Sequence, residues 1–230
     1  FLMILDAFKF TNILFLNNFV KFLTVLFPVY VINYLVYLQI SSIPGNEFGT
    51  TTGFNYQDVI INVLNLYSFI LIILLIDDIY KERNRSITNY FYIAAYLFIK
   101  IAVINLITAF VVILGLFGLI LPGLYFSARL AFASYFAIMF DDGIIKSLKK
   151  SIEVTQDNGW NVLGFLLSAT VPLLCIMIFI LIGPALLLME DNMNAYMAIS
   201  YFVTYLFMIY ITIYCYRLLN NLMEISNESI

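Results

Sequence analysis

The 230-residue chain reads as an all-α membrane protein with six transmembrane helices. Amphipathic interfacial helices lie on the cytoplasmic side, and both termini are cytoplasmic. Composition is the first reason: 63% of residues are hydrophobic and 11% charged, with mean hydropathy +1.00, whereas soluble domains carry about 25% charge. Eleven basic and 14 acidic side chains cannot cover a water-soluble fold of this size. The second reason is a series of long apolar runs, and the third is the sorting of basic residues to one side of them.

A bilayer core about 30 Å thick needs roughly 20 apolar residues per helix. Six stretches meet that length: Val20–Ile40, Val59–Ile76, Ile101–Leu121, Leu124–Phe140, Asn161–Ile182 and Ala195–Leu218. They are continuous, unlike the alternating ten-residue segments of an outer-membrane barrel. Together they make residues 1–230 one multi-pass domain with no room for a soluble catalytic domain. The start is not a signal-peptide pattern, because Asp6 and Lys9 interrupt the apolar run and no small-residue cleavage site follows.

Basic loops stay cytoplasmic. With the N-terminus inside, the inner segments hold Lys9, Lys21, Lys81, Arg83, Arg85, Lys100, Lys146, Lys149, Lys150 and Arg217, and the outer loops hold no Lys or Arg. Glu47, Asp58, Glu190 and Asp191 lie outside, so the overall pI of 4.8 conceals a near-neutral inner face and an acidic outer one. There is no basic excess for nucleic acid.

Between the spans, residues 41–57 are rich in Gly, Thr and Ser and read as an irregular outer loop. Leu121-Pro122-Gly123 reads as a tight outer turn, Gly183-Pro184 as the end of the fifth helix, and Asn220–Ile230 as a frayed polar tail. Gly143–Asn158 is too polar to span. Ile144, Ile145, Leu148 and Ile152 fall on one helical arc and Lys146, Lys149, Lys150 and Glu153 on the opposite one. That is an amphipathic helix in the inner headgroup layer, with Trp160 following at interfacial depth. Leu2–Leu16 and Ser86–Phe98 are weaker versions of the same kind. The order becomes an interfacial helix plus a hairpin, three times over.

Arg129 lies six positions past Gly123, about 9 Å along the fourth helix from its outer end. A charge at that depth pairs, faces a cavity or snorkels. Its guanidinium suits a lipid phosphate or substrate anion; the structural alternative is bonding to backbone carbonyls or Tyr hydroxyls of neighbouring helices. Lys146, Lys149 and Lys150 add attraction to anionic lipid, at roughly 1 kcal/mol each near the surface. The candidate lipid-binding residues are therefore Arg129, Lys146, Lys149, Lys150 and Trp160. Lys100 reads as a snorkelling anchor.

Catalytic chemistry finds little footing. The chain has no His, which removes His bases, nucleophile pairs and His ligation. Asp77-Asp78 and Asp141-Asp142 could hold Mg²⁺, yet neither continues into a multi-Asp motif, and Asp141-Asp142-Gly143 reads as a turn and N-cap. Cys175 and Cys215 lie at different depths and read as small packing residues. No metal site, cofactor motif or catalytic residue is expected.

Residues Leu121–Leu167 carry a family likeness: Pro122-Gly123, Arg129, Asp142-Gly143, then Ser147-Leu148-Lys149, Ser151, Asn158 and Trp160. This pattern resembles the YciC-like uncharacterised bacterial inner-membrane proteins, and is similar to the membrane domain fused to some glycerophosphodiester phosphodiesterases. The resemblance implies a bacterial inner membrane and a helical bundle with interfacial helices. It implies no activity, since the phosphodiesterase domain itself is absent here.

The leading functional expectation is a non-enzymatic integral membrane protein acting in lipid or envelope homeostasis, or as a membrane subunit beside another protein. Its partners would be membrane phospholipids or other membrane-protein subunits. A transporter or channel for a small solute, anion or lipid, with Arg129 in the pathway, is the second expectation. A metal-dependent lipid enzyme using Asp77, Asp78, Asp141 or Asp142 is the third.

Overall fold

The computed structural model describes residues 2–41, 56–118, 120–156, 158–188 and 193–228. Most of the outer loop at 41–57 lies outside the described residues. Nine helices form the described part: α1 (Leu2–Asn17), α2 (Phe19–Ser41), α3 (Tyr56–Tyr80), α4 (Ile87–Gly118), α5 (Ile120–Leu130), α6 (Ala133–Met139), α7 (Ile144–Val154), α8 (Gly159–Leu188) and α9 (Met193–Glu228). The fold is all-α. Five helices (α2, α3, α4, α8 and α9) are long and apolar enough to cross a bilayer, and the chain is a multi-pass membrane protein.

The helix at the centre is α3. Ile70 to Ile76 are buried without a break, at 0 to 4% exposure, so every face of this stretch meets protein. A helix that is apolar all round needs such a central position. By contrast, α4 turns Tyr92, Ile99, Leu106 and Phe117 outward at 71 to 86% exposure, as a lipid-facing helix does.

Helix packing is cyclic. The hairpins are α2–α3, α4 with α5/α6, and α8–α9. The first helix of each packs on its own partner and on the second helix of the hairpin before it: α2 on α3 and α9, α4 on α5 and α3, α8 on α9 and α5. The shorter leading helices follow the same rule, α1 lying on α9 and α7 on α6. This is the packing that a thrice-repeated unit would produce if its copies closed into a ring.

Three sequence expectations change. The fourth span is not one helix: α5 stops at Leu130, and α6 resumes at Ala133 after a turn at Ala131-Phe132. Pro122 and Gly123 sit inside α5, where a first-turn proline is tolerated, rather than forming the turn. There Gly123 closes on α4 so tightly that a Cβ on Gly115 would lie 2.8 Å from the Gly123 Cα. Ser86–Phe98 is no separate interfacial helix, because α4 continues from Ile87 through the span.

Chain ends and helix ends differ too. Helix α8 runs past Gly183-Pro184 to Leu188. The C-terminal segment is helical to Glu228, with Asn220, Asn221 and Leu222 buried. What orders it is α1: Asp6 accepts from Arg217 Nε at 2.9 Å and from Asn221 Nδ2 at 3.1 Å. Those two bonds outweigh the cost of partial burial and hold the Asp6 carboxyl below its ordinary pKa.

Candidate functional site

The break between α5 and α6 contains no Pro or Gly, so its cause lies in a neighbour. Three small hydroxyl residues of α7 and its C-cap, Ser147, Ser151 and Thr155, recur every fourth position and are fully buried. Ser151 Oγ donates to the Arg129 carbonyl at 2.7 Å and accepts from the Phe132 amide at 3.3 Å. Thr155 Oγ1 reaches the same carbonyl at 3.4 Å. A side chain inserted into the helical ladder is a recognised cause of a sharp helix break. It also satisfies the freed backbone groups, which a lipid environment demands.

The face that docks on protein is the Ser/Thr stripe, while Ile145 and Ile152 are 71% and 40% exposed. At 100° per residue, Lys149 shares their outward arc. Helix α7 thus carries a small polar stripe inward, an exposed apolar flank at Ile145 and Ile152, and Lys146, Lys149 and Glu153 outward.

The break places Arg129 in the last turn of α5, where a cation suits the carbonyl end of the helix. It is therefore at a helix end rather than within a continuous span. Arg129 Nη1 donates to Tyr125 Oη at 2.9 Å and to the Gln156 carbonyl at 2.8 Å, just beyond α7. Its guanidinium lies 5.5 Å from the centre of the Tyr125 ring, and the centre of the Trp160 ring lies 5.5 Å from the same point. Gly159 lets this corner close, since a Cβ there would come within 2.7 Å of the Tyr125 ring. Trp160 remains 55% exposed and Phe126 42%. The structure thus joins Arg129 to Trp160 through Tyr125.

The lysines divide. Lys146 and Lys150 both reach Asp142, each at 2.6 Å. Lys150 also lies 5.0 Å from the centre of the Phe140 ring. Burial pushes the Asp142 carboxyl up, but its bonds to the two lysines prevail, and its pKa falls below the ordinary value. The N-cap of α7 is Gly143, not an aspartate, because the Asp142 side chain is committed to those lysines and makes no cap bond. Asp141 takes the left-handed conformation, φ 51°, that turns the chain between α6 and α7.

The other cations follow the same pattern. Asp77 pairs with Lys81 at 2.8 Å and with Arg83, and Tyr216 Oη donates to it at 3.1 Å. Asp78, fully buried, holds Arg83 and Arg85, each at 3.1 Å. Lys100 pairs with Asp141. Each of the four carboxylates considered for Mg²⁺ is thus engaged by a cationic side chain. Arg129, Lys149, Lys9 and Lys21 are the basic residues with no salt bridge to a described carboxylate. Cys175 and Cys215 are free thiols.

Residues 87–218, more than half of the chain, match the family described as a domain of unknown function (DUF7847), and the chain belongs to that family. The match opens at the start of α4 and closes within α9, so it spans the second and third hairpins, the α5/α6 break and α7. No curated protein and no solved structure matches the chain.

Proposed function

We propose that the protein is a non-enzymatic membrane component that holds anionic phospholipid at the corner of α5, α7 and α8 and serves lipid or envelope homeostasis. The observation that carries this reading is the charge on Arg129: no described carboxylate neutralises it, while exposed Trp160 and Phe126 meet the Tyr125 ring that it lies against. A guanidinium beside exposed aromatic side chains matches a phosphate above an acyl chain. Lys149 supplies the second unneutralised charge on the outward arc of α7. Lys146 and Lys150 contribute less, because Asp142 already balances part of their charge.

The positive-inside sorting supports placing Lys149 toward the cytoplasmic leaflet, where anionic headgroups attract basic side chains. The resemblance of Leu121–Leu167 to YciC-like proteins supports a bacterial inner membrane. Arg129 is not among the residues lining the membrane-depth cavity, which weakens the reading of Arg129 as a pathway residue.

Native mass spectrometry of the full chain from mixed phosphatidylglycerol and phosphatidylcholine nanodiscs tests the proposal. Phosphatidylglycerol should be retained preferentially, and Arg129→Gln with Lys149→Ala should cut that retention more than tenfold. Equal retention by wild type and the double variant overturns it.

A further inference from the structure

A second site lies within the bilayer-depth part of the bundle. An open cavity of about 400 Å³, a groove facing out of the bundle, lies between α3, α4, α9 and the α5/α6 break, near the middle of three of the long spans. Its polar lining is Asn65, Asn105, Thr108 and Ser134, and the turn residue Ala131 reaches it. Non-helical backbone at membrane depth is tolerated where it is buried in protein or lines a cavity, and such broken helices mark binding sites in transporters.

The hydrogen bonding in this cavity is incomplete. Ser134 Oγ donates to Asn105 Oδ1 at 2.8 Å, which occupies that amide's acceptor and leaves its NH₂ group for another oxygen. Asn65 Oδ1 accepts from Asn33 Nδ2 at 3.5 Å, which likewise leaves the Asn65 NH₂ group. Thr108 Oγ1 is buried and has no hydrogen-bond partner among the described residues. A polar atom at this depth costs free energy until something bonds it, whether buried like the Thr108 oxygen or on an exposed side chain like Asn105. Behind Asn65 the polar chain continues: Asn33 donates to the Tyr205 hydroxyl, which lies 3.1 Å from Ser68 Oγ.

Charge sets the ligand class. The cavity lining carries no Asp, Glu, Lys or Arg, so an ion entering it would lose its water without gaining a counter-charge. Two amide NH₂ groups and a hydroxyl instead match a group that both accepts and donates. We infer that this cavity binds an uncharged, hydroxyl-bearing ligand of the glycerol type. The site is independent of the Arg129 corner, because the two share no residue.

The test is saturation binding to the full chain in neutral nanodiscs, with three probes: dioleoylglycerol, free glycerol and dioleoylphosphatidic acid. One of the neutral probes should bind saturably. Dioleoylglycerol binding identifies a lipid head entering from the bilayer, and glycerol binding a soluble polyol. Asn105→Leu and Ser134→Ala should each weaken that binding at least tenfold with an unchanged melting temperature. Asn105→Gln, which keeps the amide, should retain most of it, and Arg129→Gln should leave it unaltered. Tighter binding of the phosphatidic acid, no saturable neutral binding, or equal binding by Asn105→Leu and Asn105→Gln each overturns the inference.

Discussion

The carboxylate-rich ends of α3 and α6 and the corner around Arg129 both carry basic side chains, yet they use them in opposite ways. At the first, Asp77, Asp78, Asp141 and Asp142 each hold a Lys or Arg, and the cations lock helix ends together. At the second, Arg129 bonds only to a tyrosine hydroxyl and a backbone carbonyl among the described residues, and it keeps its charge unneutralised. Counting basic residues therefore predicts only which side of a membrane they face. Whether a given charge is free to meet a ligand depends on the carboxylates that the fold brings to it.

The largest effect in breaking this contrast should come from Asp78→Asn. Asp78 is fully buried and balances two arginines. Its neutralisation leaves Arg85 without a counter-charge and Arg83 with Asp77 alone, and the loss should be about 2 to 3 kcal/mol, at or below the lower end for buried pairs because the arginines are partly exposed. A lowered melting temperature in detergent checks it. Anionic-lipid retention at the Arg129 corner should persist at temperatures where the variant is folded.

Ser151→Ala should follow, at about 1 to 2 kcal/mol, since it removes a bond to the Arg129 carbonyl and leaves the buried Phe132 amide unbonded. Ser151→Thr should recover most of the loss by restoring a hydroxyl. If alanine and threonine melt alike, the inserted hydroxyl does not maintain the break.

Sequence reading and structure agree where a signal is local. Five long apolar runs became helices at nearly the expected places, because span length follows from continuous hydrophobicity alone. The α5/α6 break was not legible: nothing in Leu124–Phe140 disrupts a helix, and the cause is a hydroxyl some 20 positions later. A trace of it did exist in the four-residue spacing of Ser147, Ser151 and Thr155, overshadowed by the isoleucines and lysines around it. Arg129 and Trp160 could be singled out separately, but Tyr125, which joins them, resembles any other belt tyrosine. Asn65, Asn105 and Ser134 likewise became a site only when three helices and the break met.

Acidification should separate the two regions more gently. The folded pKa of Asp142 is lowered, so its contribution to stability is fully present above about pH 4 and fades as the pH falls through the lowered value. Asp6, also lowered, adds to the same window. Melting temperatures followed from pH 7 downward should drop below about pH 4. The drop should be shallower in Asp142→Asn, which starts from a lower plateau.

The most direct measurement compares Lys149→Ala with Lys150→Ala, two neighbours on one helix, for phosphatidylglycerol affinity and melting temperature together. Lys149→Ala should weaken lipid affinity about fivefold, as expected for roughly 1 kcal/mol, and leave melting unchanged. Lys150→Ala should lower the melting temperature and leave affinity within about twofold of wild type, since its charge is held by Asp142. Equal affinity losses in the two variants, or a larger loss for Lys150→Ala, would contradict the division between structural and lipid-facing cations.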